Sequence, residues 1–341
     1  MPRNCKRMLI PAWVALCASL LPSVVAAQGR IDSSLAETSE PFSGFNVRAR
    51  TLGGQQFWAD ELVFREMRIQ RNIFTSHYRL LDDHDIRLAW GDWEACLAKL
   101  NETKQARELE PVTGKVVVLV HGLGRSRKFM QPLADYLRAN SDYTVIAVDY
   151  PSTRQGIDGH AAGLASVMRH LDDGITEINF VAHSLGGLVV RHYLADATAG
   201  GKPLDGRINR FVMLGTPNQG AAMARMFKRS RLFHIAVRGT GKQLSTDFDA
   251  LAGHMGTPPC EFGILTGGVG DEDGYNPLIA GDDDIIVRVD ETKLAGARDY
   301  RQLLMRHTVL ARDERPLAMT LQFLKKGCFT SEDERQPIEA K

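Results

Sequence analysis

The feature that most constrains the fold is the stretch INFVAHSLGGLVVRHYLA at residues 178–195. Its first part is apolar and rich in β-branched residues, as in a buried strand, and its second part repeats apolar residues at helical spacing. The chain is therefore predicted to turn from a strand into a helix at Ser184. Ala182 and Gly186 flank this turn, which leaves little room for larger side chains.

A serine held at such a turn projects its Oγ outward, which is the context of a nucleophile elbow. The alternative interpretation is that Ser184 only caps the following helix, because serine is a favourable N-cap residue. Capping alone does not require small residues two positions before and two positions after the serine. Ser184 is therefore the candidate nucleophile.

Apolar runs separated by helical segments recur from residue 115 onward. Because these runs do not alternate with polar residues, they favour strands buried on both faces, in a mostly parallel central sheet with helices on both sides. The last helix is predicted to have Pro316 in its first turn and Gly327 after its end. The runs are KVVVLVHG, YTVIAVDYP, INFVAHS, RFVMLGTP, EFGILTGG and DYRQLL.

The segment before this region is predicted to be a helical extension over residues 57–110. Two sets of apolar residues there recur at helical spacing, and we interpret them as a packed helical pair without chemistry. Residues 28–56 are rich in Ser, Glu, Gly and Arg and are predicted to form a poorly ordered linker. The catalytic domain is expected over 111–328, with a tail over 329–341. The two sets are Trp58, Leu62, Ile69 and Ile73, and Trp90, Trp93, Leu97 and Leu100.

The N-terminus has the pattern of a secretory signal peptide. Three basic residues precede an uncharged run over 8–27 that ends in small residues, and cleavage is expected after Ala27. An uncleaved membrane anchor is the alternative, because about 20 uncharged residues just span a bilayer. Pro11 and Pro22 interrupt the run and favour cleavage. The protein is therefore expected to be exported, either periplasmic or secreted.

Charge and cysteine content exclude some functions and leave others open. The chain has 42 basic and 41 acidic residues, and loss of residues 1–27 removes three positive and no negative charges, so its formal charge changes from +1 to −2. This balance gives no basis for a nucleic-acid partner and suits an uncharged or modestly charged substrate. Cys96, Cys260 and Cys328 remain, and an exported protein could form one disulfide among them, with the pair undetermined.

The chain also supplies the groups that a serine nucleophile requires. HGLG at residues 121–124 follows the first strand of the predicted sheet, so the backbone amides of Leu123 and Leu185 are the expected oxyanion donors. His121 is interpreted as a structural histidine that supports this loop. His307 follows the last strand and is the expected base, whereas His183, next to Ser184, is expected to point elsewhere.

The acid that orients the base is expected between Ser184 and His307. NPLIAGDDDIIVRVDETKL offers three consecutive aspartates, Asp282, Asp283 and Asp284. An acidic loop of this kind can bind calcium, because carboxylate oxygens suit that ion. No regular ligand spacing is visible, so a solvated loop is the favoured interpretation and no metal is expected.

Taken together, HGLG, AHSLGG, LGTPNQG, GDDDIIV and RHTVL resemble secreted lipases and esterases of the α/β-hydrolase superfamily over about residues 115–326. The resemblance implies the α/β-hydrolase fold, with Ser184 as nucleophile, His307 as base and Asp284 as acid, Asp283 being the reserve. It also implies hydrolysis of lipid or acyl esters through an acyl-enzyme, without a cofactor. In two places the chain departs from the pattern, since Ala182 replaces the first glycine of GxSxG and Ile285 the glycine usual after the acid.

A long insertion over about residues 220–260 mixes apolar and basic residues. It is predicted to be a cap over an apolar acyl pocket, either a mobile lid or a fixed cap helix, and transient contact with a lipid surface would follow. An acyltransferase or thioesterase with the same triad is the alternative function. A non-enzymatic binding module is the other alternative, and it predicts a broken triad.

Overall fold

The computed structural model describes residues 49–51, 56–220 and 248–340. The predicted signal peptide at 1–27, most of the linker and most of the cap insertion lie outside the described residues. The chain separates into two units, Met1–Ser43 and Gly44–Lys341, and every described residue belongs to the second. The helices in the described part of the chain are all too short or too polar to cross a membrane.

The first part of the described chain is an antiparallel sheet with the strand order β1-β5-β4-β3-β2. The prediction of a helix over its first apolar set is therefore wrong, and two residues of the predicted linker form a strand. The strands are β1 (Ala49–Arg50), β2 (Trp58–Phe64), β3 (Met67–Asn72), β4 (Tyr78–Leu81) and β5 (Ile86–Gly91).

The apolar residues of this segment are spaced as in a helix because β2 is irregular and because its sheet buries polar side chains. A register shift between Asp60 and Leu62 interrupts the alternation of the strand. Asp60, Arg68 and Gln70 are all buried. A pattern that counts only apolar residues treats such positions as exposed, so the period of two is hidden.

The second predicted helix of the extension is present as α1 (Trp93–Ala106). Asp92 caps it, because its side chain accepts a hydrogen bond from the amide of Ala95. Trp90 is not part of this helix, since it lies in β5 and is 41% exposed. The helix packs on β4 and β5 through buried residues that include Cys96 and Leu100.

The central sheet has six strands, all paired in parallel, in the order β11-β10-β9-β8-β6-β7. Each of the six predicted apolar runs forms one of these strands. Their carboxyl ends meet at one edge, which is where ligands bind in sheets of this kind. The strands are β6 (Gly114–Val120), β7 (Thr144–Val148), β8 (Ile175–His183), β9 (Ile208–Leu214), β10 (Glu261–Gly268) and β11 (Asp299–Leu304).

Helices cover both faces of this sheet, as predicted. In β6, Val117 and Leu119 pack with α2 and α6, while Val118 and Val120 pack with α3, α4 and α5 on the other face. Both faces are therefore apolar, and each strand is buried on two sides. The helices are α2 (Gln131–Asn140), α3 (Ile157–Arg169), α4 (Leu185–Thr198), α5 (Phe248–Met255) and α6 (Glu314–Lys326).

The end of the chain is fixed to the domain. Helix α6 has Pro316 in its first turn and ends at Gly327, whose φ of 76° is left-handed, as predicted. The backbone of Ile338 then exchanges hydrogen bonds with Ala297 and Gly296 at 2.9 and 2.8 Å. The predicted tail therefore packs beside β11.

The three cysteines in the described part of the chain are free thiols. Burial raises the pKa of the Cys96 and Cys260 thiols to about 12. The thiolate is the reactive form, so both side chains behave as small apolar groups near neutral pH. The structure thus contains none of the possible disulfides among Cys96, Cys260 and Cys328.

Candidate active site

Ser184 lies at the turn between β8 and α4. Its φ of 55° and ψ of −124° differ from the extended backbone of an ordinary N-cap residue. Its side chain makes no capping hydrogen bond to the first turn of α4. The interpretation of Ser184 as a helix cap is therefore wrong, and the strained turn is the geometry of a nucleophile elbow.

The small residues around this turn are required by close backbone packing. A Cβ on Gly186 would lie 2.5 Å from the carbonyl oxygen of Val120 and 2.6 Å from that of His121. Ala182 is completely buried in β8, where it is paired with Val120 and Met213. The elbow is thus held directly against the carboxyl end of β6.

His307 and Asp284 are paired by two hydrogen bonds. The ring Nδ1 of His307 lies 2.6 Å from Asp284 Oδ2, and the His307 amide donates to the Asp284 carbonyl at 2.9 Å. The other carboxylate oxygen, Oδ1, accepts from the amides of Ile286 and Val287 at 3.0 and 2.8 Å. The carboxylate is fixed by the backbone, so it favours a proton on Nδ1 and leaves Nε2 as the basic nitrogen.

Asp283, the reserve acid, faces a different part of the loop. Its carboxylate accepts from the amides of Ile285 at 2.6 Å and Asn276 at 3.1 Å. Burial raises the pKa of this carboxyl group. Ile285 has a φ of 95°, a conformation that favours glycine, the residue that the resemblance leads one to expect at this position.

Ser184 and His307 both adjoin the carboxyl end of β9. The amide of Ser184 donates to the Leu214 carbonyl at 2.9 Å, and a Cβ on the next residue, Gly215, would lie 3.0 Å from the His307 ring. Within the described part of the chain, His307 Nε2 is buried without a hydrogen-bond partner. Bonds between a serine and its base often tighten only in the substrate complex.

The two expected oxyanion donors belong to segments that border Ser184. Leu185 is the first residue of α4, where a helix leaves its amide without an intrahelical acceptor. A Cβ on Gly122 would lie 3.0 Å from the Cβ of Ser184, so the turn that carries Leu123 passes alongside the serine. The amide of Gly124 donates to Ser152 Oγ at 3.0 Å and anchors this turn.

Among known protein families, the model of DUF7379, a domain of unknown function, matches residues 85–246. No curated protein matches the chain. Bacillus licheniformis lipase BlEst2 in its propeptide form is 19% identical, with a TM-score of 0.51, over 68% of this chain and 53% of that chain. Its mature form is 20% identical, with a TM-score of 0.48, over 64% and 94%. The product of the gene lin2722 from Listeria innocua is 17% identical, with a TM-score of 0.44, over 68% and 99%.

The chain has the α/β-hydrolase fold. The assignment rests on the likeness to the propeptide form of BlEst2 and on the six-stranded parallel sheet with helices on both faces. In an α/β-hydrolase, the functional side chains lie at the carboxyl ends of the strands and in the loops that follow them. Ser184, Asp284 and His307 all lie after strands at that edge.

His121 supports the HGLG loop that follows β6, as the sequence suggested. Its Nδ1 donates to the Gly122 carbonyl at 2.9 Å, and its Nε2 accepts from the Tyr150 amide at 3.4 Å. The ring stacks on Tyr150 with centroids 4.2 Å apart. Burial lowers the pKa of His121 to about 4, so it is neutral near pH 7 and these two contacts fix its tautomer.

His183 has a positioning role that the sequence did not reveal. Its Nε2 lies 3.0 Å from the carbonyl oxygen of His307, and the centroids of the two rings are 4.6 Å apart. Burial, the largest cause, and the neighbouring His307 lower the pKa of His183 well below its usual range. A neutral His183 therefore donates from Nε2 and holds the backbone of the candidate base.

The N-terminal sheet also contacts this part of the domain that contains the central sheet. The amide of Asp149, just after β7, donates to Asp60 Oδ2 at 2.8 Å, and the amide of Arg127 donates to Asp149 Oδ1 at 2.7 Å. The Arg127 side chain pairs with Asp85 of the N-terminal sheet. These buried groups fix the segment that follows HGLG. From the sequence, no such role is expected of the extension over residues 57–110.

The acidic loop before Asp284 is organised by its own backbone. Asp271 Oδ1 accepts from the amides of Asp273 and Gly274 at 3.0 and 3.1 Å. The Asp282 carboxylate accepts from the amides of Val269 and Gly270 at 2.7 and 2.9 Å. These contacts explain the acidic sequence as turn chemistry.

Proposed function

We propose that the protein is a serine carboxylic-ester hydrolase, a lipase or esterase, that cleaves lipid or acyl esters. The observation that carries the proposal is the buried pair of His307 and Asp284, with His307 Nε2 left for a reacting group beside the strained turn at Ser184. A base oriented by a carboxylate and placed near a serine at a strained elbow is the arrangement that activates a hydroxyl.

In the first half of the reaction, Ser184 Oγ attacks the carbonyl carbon of the ester. His307 Nε2 takes the hydroxyl proton, and Asp284 holds the Nδ1 proton and stabilises the imidazolium. The amides of Leu123 and Leu185 donate to the oxyanion of the tetrahedral intermediate. When the C–O bond to the alcohol breaks, His307 returns its proton to that alcohol, which leaves.

In the second half, water replaces the alcohol. His307 removes a proton from water as its oxygen attacks the acyl carbon on Ser184, and the same two amides stabilise the second intermediate. Breakdown releases the carboxylic acid, and the proton on His307 returns to Ser184 Oγ. The cycle needs only water and the side chains and amides of this chain.

The proposal includes an acyl pocket under the cap and an exported location. The two ends of segment 221–247 lie together on the domain, because the ring of Phe248 lies against Gly220. Leu251 and Met255 of α5 then pack into the core beside α4.

The test is hydrolysis of p-nitrophenyl esters of graded acyl length by the purified full chain. Ser184→Ala is expected to lower kcat by at least about 10⁴-fold, since loss of a triad nucleophile removes most of the catalysis. Ser331→Ala is the matched control, because Ser331 is exposed and distant in sequence from the site. It should leave turnover unchanged.

Labelling and product analysis separate the alternatives. A fluorophosphonate probe should modify Ser184, as read by mass spectrometry of the digested protein, and the label should be absent from Ser184→Ala. Ester products formed with added alcohol, in place of free acid, would indicate an acyltransferase. A folded protein with neither labelling nor turnover would contradict the proposed function.

A further inference from the structure

Four side chains that can bind a metal converge on the side of α4 away from the elbow. His192 and Asp196 are one turn apart on α4, with His192 Nδ1 3.0 Å from Asp196 Oδ2. His254 of α5 places its Nε2 2.7 Å from Asp196 Oδ1. Asp158, in the first turn of α3, lies 2.9 Å from His192 Nε2. Three helices therefore contribute to one cluster.

The contacts of His192 favour a positive charge in this cluster. The residue is 6% exposed, and each of its two ring nitrogens faces a carboxylate oxygen. A neutral imidazole has one N–H, so it can donate to only one of these oxygens. At the other nitrogen a lone pair would meet a carboxylate, which is unfavourable unless a proton or a metal ion lies between them.

We propose that this cluster is a divalent metal site of the zinc class. The ligand atoms of His192, Asp196 and His254 all lie within 4.8 Å of one another. Two imidazoles and one carboxylate form a typical protein donor set for Zn²⁺, with a further position for water. Asp158 would accept the Nε2 proton of His192, which is the usual way a carboxylate orients a ligating histidine.

Charge and packing both favour this assignment. The two carboxylates balance the charge of a divalent cation held by neutral histidines. His254 lies between Leu251 and Met255, which are buried against α4, and the buried Arg191 donates to the carbonyl of Gly256 at 2.5 Å. The backbone that carries His254 is therefore fixed on both sides of the ligand.

The metal would cross-link α5 to α4, and hence the end of segment 221–247 to the helix that begins beside Ser184. His192 is eight residues after Ser184, or about 12 Å along the helix axis, so the metal would not touch the reacting ester. Its role would be structural. The inference is independent of the proposed hydrolase activity, and its readout is metal binding.

The experiment is a zinc titration of the purified full chain after treatment with a chelator, followed by calorimetry. One Zn²⁺ per chain is expected, and zinc at a 100-fold excess over its Kd should raise Tm by about 4 °C. His254→Ala and Asp196→Asn should each weaken binding by at least about 100-fold. Asp158→Asn should weaken it by about 10-fold, as for other carboxylates that support a ligand.

His84→Ala is the matched control. His84 and Asp83 are exposed and, with the buried Asp82, form a group whose ligand atoms also lie within 4.8 Å of one another. This variant should bind zinc as the unchanged protein does. His254 and Asp196 are themselves well exposed, so their variants are expected to fold. The absence of stoichiometric binding, or binding that survives both substitutions, would overturn the proposal.

Discussion

The two sheets in the described part of the chain are buried by opposite kinds of chemistry. In the central sheet, residues 116–120 of β6 are all apolar and nearly inaccessible to solvent. In the N-terminal sheet, β2 and β3 bury Asp60, Arg68 and Gln70 to the same degree. Burial of the first set is favourable by itself, whereas burial of the second set costs free energy unless each group is paired.

The pairing in the N-terminal sheet is complete around one carboxylate. Asp60 accepts from Arg68 Nη1 and Gln70 Nε2, both at 2.7 Å, and from the Asp149 amide at 2.8 Å. Burial raises the pKa of Asp60, while the Arg68 guanidinium opposes that shift. The central sheet thus supplies the strand ends that carry the candidate site, and the N-terminal sheet supplies directional bonds that hold a neighbouring loop.

The largest expected effect is at the edge of the central sheet. Asp284→Asn should lower kcat by about 10⁴-fold, because the amide cannot hold the Nδ1 proton of His307 in the productive tautomer. Ester hydrolysis at saturating substrate measures it. Asp283→Asn is the matched control and should lower kcat by less than about 10-fold, since Asp283 bonds only to the loop backbone. Equal losses in the two variants would contradict the assignment of the acid.

The next largest effect is expected on the free energy of unfolding, when the buried charges of the N-terminal sheet are changed one at a time and together. Arg68→Met should lower the free energy of unfolding by about 3–5 kcal/mol, because it leaves the Asp60 carboxylate buried without its counter-ion. In the double variant with Arg68→Met and Asp60→Asn, the loss of unfolding free energy should be about 1–3 kcal/mol smaller than the sum of the losses in the two single variants. Urea unfolding of the four proteins measures this coupling. Additive losses would show that the buried pair is not a unit.

The smallest effects compare two helical glycines, one at the elbow and one facing the N-terminal sheet. Gly186→Ala should destabilise the protein by about 1–3 kcal/mol, because its Cβ meets the backbone of β6 at 2.5 Å. Gly163→Ala in α3 should stabilise it by about 0.5–1 kcal/mol, since its Cβ comes no closer than 3.8 Å to β2. Thermal unfolding measures both. Effects of the same sign would contradict this difference in packing.

The central sheet was predictable because its signals are local. Continuous apolar runs identify strands buried on both faces, and all six of them were found. The small residues around Ser184 predicted the elbow, because a tight turn excludes side chains whatever surrounds it. The N-terminal sheet was not predictable in this way, since its interior contains polar residues whose partners lie on other strands.

Within the candidate site, residue types can be read from the sequence but their contacts cannot. Three consecutive aspartates are chemically equivalent as a sequence, and only the backbone amides of the loop direct Asp284 toward His307 and Asp283 away from it. His183 could not be recognised, because its partner is the backbone of a residue far along the chain. The cluster of His192 and His254 was missed for the same reason.

The sequence by itself determined the parallel apolar sheet and the strand-to-helix turn at Ser184. These features depend on hydrophobic burial and local sterics, which do not require a specific partner from a distant segment. Only the tertiary structure decided which carboxylate meets which nitrogen and which charges are buried together. Hydrogen bonds and ion pairs are directional and short-ranged, so they depend on how distant segments meet in space.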